Sequence, residues 1–435
     1  MIDQHKSEPF VSMNVLLLFL LPTLGMIILI GNAIAQIGVE AGWLLPFALL
    51  CLVAPIIYIA VGERPSPAAD RRRFFVALIT CLLLVIGLTV RQIAIRPPAN
   101  VPEGMYDGAV QSEVAAQYLL RGINPYGADY RGTPYAAVNK PIPGGPTQNV
   151  VWFHYIYPPL TFLLFVPIEL MRPLLGELTD YRLLTIGALM LITFILVSQA
   201  PTYSQRTTVT VLTLGNPLLW GYAVVGANDL LGPAAIIGAT LLIQKKQWLL
   251  AGIIFGLAVA AKQTTWIITP LWLYWVWRQS KDSNQPRNSF KRQLLGLSAT
   301  VAVTFGPFLL WHPSRILTDV WSFASGAIPH TYPISGTTFL QYLHVLRLVP
   351  SAWSVIPTYL YQLSVGAPLL ALTLYWIRRS AEPSRWLGGA AILSLGVLLF
   401  SRYFNNNYLG FPITLLVGAL VLSWPSKKVL VDDHE

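Results

Sequence analysis

Residues 71–97 read RRRFFVALITCLLLVIGLTVRQIAIRP. Three arginines come first, and no charged residue then falls between Arg73 and Arg91. At about 1.5 Å of rise per residue, a run of this length crosses the roughly 30 Å hydrocarbon core of a bilayer as one helix. Backbone amides in lipid must be paired internally, so an apolar run of this kind is helical. Working outward, similar blocks read near 10–36, 42–62, 74–97, 153–171, 183–200, 207–224, 228–244, 247–261, 264–278, 293–312, 353–377, 385–401 and 407–424. None shows the short period-two alternation of a membrane barrel. Composition agrees: 54% of the 435 residues are hydrophobic and 11% charged, against about 25% charged in a typical soluble domain. The fold class expected is therefore all-α, a polytopic integral membrane protein with about 12–13 hydrophobic helices.

The formal net charge of +10 does not mark a nucleic-acid binder. The basic residues fall in short clusters between apolar blocks: Arg71–Arg73, Lys245-Lys246, Arg287 with Lys291-Arg292, Arg378-Arg379 and Lys427-Lys428. Such clusters orient helices with their basic ends in the cytoplasm. Cys51 and Cys81 both sit inside apolar blocks and read as packing residues, without disulfide or metal spacing. The first block is long, weakly flanked by basic residues and followed by many spans, so it reads as a helix rather than a cleaved leader.

The chain reads as one membrane-embedded domain over 1–435, with an extra N-terminal helix pair in 1–70. Two hydrophilic stretches interrupt it, 98–152 and 313–352, both rich in Pro, Gly, aromatic and polar residues. The basic clusters place both on the non-cytoplasmic side. One parity problem arises. Four blocks lie between the outer position at 152 and the inner Lys245, and an odd number must cross. Block 207–224, interrupted by Asn216-Pro217 and Gly221, is the expected non-crossing, re-entrant segment.

The 98–152 loop opens with YDGAVQSEVAAQYLLRGINPYGADY, residues 106–130. Val110, Val114, Tyr118 and Leu119 share one helical face, and Gly122 supplies a stop. This predicts an amphipathic helix lying on the outer membrane surface, with Asp107 at its start. Asp107 there either caps the helix or accepts a proton from a substrate hydroxyl. Glu113 and Asp129 read as structural or solvated acids.

That stretch, with WFHYIYPPLTFLLFVP at 152–167, resembles glycosyltransferases of the GT-C superfamily, most nearly the family 87 polyprenol-phosphate-mannose-dependent mannosyltransferases and similar membrane proteins. Two weaker patches, GNPLLWGYAVVGAND at 215–229 and SRYFNNNYLGFP at 401–412, extend the likeness. The resemblance implies that Asp107 is the general base. It implies that Tyr157-Pro158-Pro159-Leu160 begins the helix lining the active-site cavity, and that Asn228-Asp229 is a polar pair facing it. The acidic residue follows the third apolar block here, where relatives place it after the first, which is why the N-terminal pair reads as an addition.

Glycosyl transfer from a polyprenyl phosphate needs a base, donors for the departing phosphate, and an apolar groove for the prenyl tail. Ionisable residues inside apolar blocks are costly and functional by default. Asp229, Lys262 and Arg402 answer that description. Lys262-Gln263 ends one block and Arg402 opens RYFNNNY with Asn406, all at the outer side. Lys262 and Arg402 serve a phosphate or else snorkel to the interface. His154, beside Tyr157, is a further sugar- or phosphate-binding candidate. His312, His330 and His344 match no compact metal motif. The many Trp and Tyr residues near block ends read mostly as an aromatic belt.

No P-loop, G-x-G-x-x-G, H-E-x-x-H or G-x-S-x-G occurs, and the outer loops carry no D-x-D pair. The expectation is an inverting hexosyltransferase at the plasma membrane, active on the non-cytoplasmic face. It would take a sugar, mannose by the resemblance alone, from a polyprenyl-phosphate donor to a lipid or glycan acceptor. No cofactor is called for, the lipid-linked sugar being a substrate, and the sequence leaves metal use open. The rival expectations are a transporter or lipid flippase, disfavoured by the lack of related halves, and a non-catalytic partner built on an enzyme scaffold.

Overall fold

The computed structural model describes residues 17–18, 20–26, 44–61, 66–96, 104–138 and 150–425. Most of the first apolar block, the middle of the first long loop and Lys427-Lys428 lie outside the described residues. The chain is helical almost throughout. Among the described residues the one two-stranded element is parallel, pairing Ser335–Gly336 with Tyr403–Phe404. The main helices are α1 (Leu45–Ala60), α2 (Pro67–Ala94), α3 (Asp107–Leu120), α4 (Arg182–Gln199), α5 (Tyr203–Thr213), α6 (Pro217–Val224), α7 (Leu231–Gln244), α8 (Trp248–Ala261), α9 (Thr264–Ser280), α10 (Pro286–Trp311), α11 (Phe339–Val345), α12 (Thr358–Arg379), α13 (Pro383–Leu398) and α14 (Gly410–Leu422). Four of them, α2, α4, α10 and α12, are long and apolar enough to cross a membrane by length and composition.

Helix α2 starts where the sequence directs. Ser66 accepts a hydrogen bond from the Ala69 amide, Pro67 occupies the first turn and Asp70 adds an acid there. One face buries Ala77, Cys81, Leu84, Val85 and Leu88 against α1, α4 and α5. Both cysteines are buried and unpaired with each other, as packing residues should be. A second core joins α7, α8, α9, α13 and α14 around Phe255, Trp272, Trp275 and Trp386.

Helices α8 and α10 meet almost backbone to backbone. A Cβ on Gly252 would stand 2.1 Å from the Gln293 carbonyl oxygen, and one on Gly296 would stand 2.3 Å from that of Leu249. Small residues at these crossings permit the approach, as between helices in lipid. Near the far end of α8, Ala261 packs with Leu160 and Phe305. Helix α10 runs on from Phe305 to Trp311, about 9 Å further at 1.5 Å per residue. The chain after Ala261 therefore lies in a recess beside α10.

Two ends of the bundle can be told apart. One carries Asp107, with Val225, Lys262 and the loop at 399–409. The other carries Arg71–Arg73, Lys245-Lys246 and Arg378-Arg379. Tyr203 sits beside Phe74 at this basic end, their ring centroids 5.9 Å apart. The carbonyl of Val225 accepts the Tyr106 amide at the Asp107 end, 2.7 Å away. Helices α5 and α6 together therefore run from one end to the other, despite the break at Asn216-Pro217.

This corrects the expectation for 207–224. The non-traversing segment is 153–178. Its start is tied to α3 through the Tyr155 and Ser112 hydroxyls, 2.9 Å apart, and just past its end the Tyr181 amide donates to Glu113 on α3. Physically, Pro158, Pro159, Pro167 and Pro173 break the block into the short helices Leu160–Leu163, Val166–Leu170 and Arg172–Leu175. With it removed, three traverses lead to Lys245 and the parity is satisfied.

The helix predicted at 107–120 is present, but it does not lie on a surface. Gly108 through Ala116 are all buried. The polar residues that gave it an apparent hydrophilic face are satisfied inside the protein. Gln111 donates to the His154 carbonyl, Ser112 donates to the Gly108 carbonyl, and Glu113 pairs with Arg96 at 2.5 Å. Arg96 also reaches Asp180 at 2.9 Å, which in turn holds Arg182. This buried four-charge network fixes α3 to the ends of α2 and α4. Asp129 is exposed and paired with Arg131, in line with a solvated acid.

Candidate active site

Asp107 is the first residue of α3, with Tyr106 in the N-cap position. Its Oδ1 accepts the amide of its neighbour Gly108 at 2.7 Å. The carboxylate thus sits at a helix N-terminus, where the dipole favours negative charge. It keeps partial access to solvent while aromatic side chains crowd it. Burial pushes its carboxyl above the ordinary aspartate range, opposed by the Gly108 amide and by the charge of Lys262. Tyr157 lies across the same helix start, since a Cβ on Gly108 would stand 2.2 Å from its hydroxyl. Only glycine fits at 108.

Lys262 follows the last turn of α8 and is 3% exposed. Its Nζ donates to Asn228 Oδ1 at 2.6 Å and stands 2.9 Å from Asp229 Oδ1. The same ammonium lies 5.2 Å from the ring centres of both Tyr157 and Tyr408. Asn407 Nδ2 donates to Asp229 Oδ2 at 2.7 Å, completing the support behind the pair. Gln263 donates to the Ile156 carbonyl, tying this turn to the Tyr157 segment.

A cavity of about 470 Å³ opens in front of Lys262. Its polar mouth is formed by Tyr157, Lys262, Gln263, Arg402, Tyr403 and Tyr408. It continues as an apolar groove between α9, α12 and α13, past Ile267, Leu370 and Leu393. Trp321 and Leu363 on its rim are 51% and 64% exposed, so the groove is open along the side of the bundle.

Arg402 stands at the mouth, outside the membrane-spanning helices and 1% exposed. Its Nε donates to the Tyr332 carbonyl and its Nη2 to the Ala352 carbonyl at 3.2 Å. Nη1 makes no hydrogen bond among the described residues. Of the buried Arg and Lys side chains among the described residues, Arg73, Arg182 and Lys262 each face a carboxylate, and Arg402 faces none. Burial without an acid partner lowers its pKa to about 10. Gly326, at φ +75°, lies against it, and a Cβ there would stand 2.6 Å from Nη1.

The structure thus brings Asp107, Tyr157, Asn228, Asp229, Lys262, Gln263 and Arg402 to one end. Two candidates stand apart. His154 Nδ1 is 2.6 Å from Asp319 Oδ1, its ring stacks on Phe323 at 4.2 Å, and it does not line the cavity. Asp319 also accepts the amides of Gly127 and Tyr155, so this group joins the two long loops. Asn406 is exposed, and its neighbour Asn407 is the buried member of the cluster. Asn228 and Asp229 meet Lys262 without lining the cavity. Tyr332, Tyr403 and Tyr408 were not singled out by the sequence. No spacing separates them from the other aromatic residues at helix ends.

A comparison with family models matches residues 155–401, more than half of the chain, to glycosyltransferase family 87. The chain belongs to glycosyltransferase family 87. It is a membrane glycosyltransferase, and such an enzyme takes a sugar donor and an acceptor. Comparisons with curated proteins and with solved structures found no match. Within the family 87 match fall Tyr157, Asn228, Asp229, Lys262 and Gln263, while Arg402 lies one residue beyond it and Asp107 lies before it. Family membership sets aside the transporter or flippase expectation.

Proposed function

We propose that this family 87 enzyme transfers a hexose, mannose by resemblance, from a polyprenyl-phosphate donor to an acceptor hydroxyl. The observation that carries the reading is Arg402: a buried guanidinium with no carboxylate partner among the described residues, at the mouth of an apolar groove open along the side of the bundle. An isolated buried cation is costly and waits for an anion. A lipid phosphate meets both halves of the site, with its head on Arg402 and Lys262 and its prenyl chain between α9, α12 and α13. Arginine suits the head because its planar fork presents several donors to phosphate oxygens.

Asp107 is the general base in this reading. Its carboxylate takes the proton of the acceptor hydroxyl as that oxygen forms a bond to the anomeric carbon. The bond from that carbon to the phosphate oxygen breaks on the opposite face, with inversion, and the electron pair leaves with the polyprenyl phosphate. Arg402 and Lys262 stabilise the charge that develops there. Tyr157, Tyr403 and Tyr408 supply flat surfaces for the sugar. The proton on Asp107 then returns to solvent through its exposed edge.

The basic clusters lie at the end opposite Asp107, which supports an active site on the non-cytoplasmic face, most simply of the plasma membrane. The test is transfer of label from radiolabelled polyprenyl-phosphate mannose to a membrane-lipid extract by purified enzyme in nanodiscs. Label in the extract supports the reading. Failure with mannose and with a panel of other polyprenyl-phosphate sugars would sink it.

A further inference from the structure

The first-turn amides of a helix have no partner within it, and a capping side chain or a ligand commonly supplies one. Helix α9 is 17 residues long, and Gln263 in its N-cap position makes no cap. The Gln263 side chain donates to the Ile156 carbonyl instead, which fixes the turn. The Thr265 and Trp266 amides bend back to the Lys262 and Gln263 carbonyls, at 3.1 and 2.9 Å. The Thr264 amide meets no acceptor among the described residues.

Thr264 carries a second unmet donor. It is 5% exposed, and its hydroxyl has no hydrogen-bond partner among the described residues. Buried threonines elsewhere return this hydroxyl to the carbonyl one turn back, as Thr240, Thr269 and Thr414 do at 2.7–2.9 Å. Thr264 has no helical turn behind it, because the chain leaves α8 at Lys262 in an extended conformation. Thr264 lines the cavity, as do Gln263 and Arg402. The next residue gives the contrast. The Thr265 hydroxyl is also buried and unpartnered among the described residues, but Thr265 does not line the cavity, and a Cβ on Gly232 of α7 would stand 3.3 Å from its oxygen.

We propose that the amino end of α9 seats the phosphate of the lipid-linked donor, with the Thr264 amide and hydroxyl as its hydrogen-bond donors. Three features meet at this cavity: the positive end of the α9 dipole, two unmet donors on one residue, and the unpaired Nη1 of Arg402. Each is satisfied by an anion. A phosphate has oxygens enough to accept from Thr264 and Arg402 together. A neutral sugar hydroxyl would leave the dipole and the guanidinium uncompensated. As the glycosyl bond breaks, charge grows on the phosphate, and donors fixed at the end of a helix stabilise it without having to reorganise.

The inference rests on the glycosyl-transfer reading for its lipid, and the test separates the two. In nanodiscs, binding of geranylgeranyl phosphate, geranylgeraniol and inorganic phosphate is read from the rise in melting temperature with concentration. Geranylgeranyl phosphate should protect wild type, and the alcohol should not. Thr264→Val keeps the shape of the side chain and drops the hydroxyl. That hydroxyl has no partner in the protein, so the ligand-free variant should melt with wild type or above it. Its affinity for geranylgeranyl phosphate should fall about 10-fold or more, the order that a hydrogen bond to a charged group contributes. Thr264→Ser and Thr265→Val should both bind as wild type does. If Thr264→Val does not fold, Thr264→Ala takes its place with the same loss expected. Undiminished binding by the Thr264 variant, or equal losses in it and in Thr265→Val, would overturn the inference. So would equal protection by the alcohol, or by inorganic phosphate at the same concentration. Binding that follows these expectations, with no transfer from any polyprenyl-phosphate sugar, would keep the seat and sink the transfer reading. Wild-type transfer and binding in Thr264→Val would do the reverse.

Discussion

Replacing Arg402 by methionine should separate activity from stability. The buried guanidinium faces no acid among the described residues, and burial lowers its pKa to about 10. At 1.36 kcal/mol per unit, that fall corresponds to about 3 kcal/mol of disfavour for the charged form. Methionine removes this cost and fills similar space. It also leaves the Tyr332 and Ala352 carbonyls without their donor, at about 1 kcal/mol or more each. The two effects largely cancel, so the melting temperature should move by only a few degrees. Transfer should respond differently. Hydrogen bonds to a charged group contribute about 1.5–3 kcal/mol, so loss of the phosphate contact should lower kcat/KM roughly 10–150-fold. Arg402→Lys keeps the charge without the planar fork and should fall between. The assay is label transfer at several donor concentrations, beside thermal melting of each variant. Wild-type kcat/KM in Arg402→Met would refute the assignment of Arg402 to the phosphate. A collapse of melting equal to the loss of transfer would make the residue structural.

Other consequences follow from the same geometry. Burial holds the Asp107 carboxyl above the ordinary value of 3.8, and the base must be unprotonated. Transfer should therefore fall as pH drops through a midpoint above that value, read from the acidic limb of a kcat profile. Glu113→Gln breaks the buried network of Arg96, Asp180 and Arg182 while leaving Asp107 in place, and should cost about 3–5 kcal/mol on the scale of broken buried pairs. A drop of only a degree or two in melting would contradict this. At the α8–α10 crossing, Gly252→Ala should destabilise by about 1–3 kcal/mol, whereas Gly187→Ala meets nothing within 4 Å and should melt like wild type. Gly326→Ala should depress transfer as Arg402 variants do, since its Cβ displaces Nη1 and its φ of +75° disfavours a side chain.

Much of the scaffold is legible from local chemistry. The helix beginning at Asp107 ends at Leu120, and Gly122 takes the left-handed conformation that a stop residue needs. The end of α8 before Lys262 follows from the apolar run alone. What misleads is apolar content without geometry. Residues 153–171 are hydrophobic enough to span, but prolines at 158, 159 and 167 turn them into short pieces. Asn216-Pro217 looks like a re-entrant break, yet α5 and α6 continue past it because packing on α2 and α4 carries both halves. The face of α3 that reads as solvated is polar because it meets Arg96, His154 and Tyr155 inside the protein. The site is legible where a charge stands in an apolar run, as with Asp229, Lys262 and Arg402. It is not legible where identical neighbours differ only in turn geometry. Asn405, Asn406 and Asn407 are indistinguishable by type, and the 3-10 turn over Asn406–Leu409 alone decides that Asn407 is the one turned toward Asp229.

The most direct test of the account compares wild type with Asp107→Asn in nanodiscs, with radiolabelled polyprenyl-phosphate mannose as donor and membrane lipid as acceptor, after both are shown to melt alike. Wild type should transfer label, and the variant should lose 10²-fold or more, the range a general base contributes. Equal transfer by the two proteins would contradict it, returning Asp107 to the helix terminus as a structural residue and placing the base elsewhere.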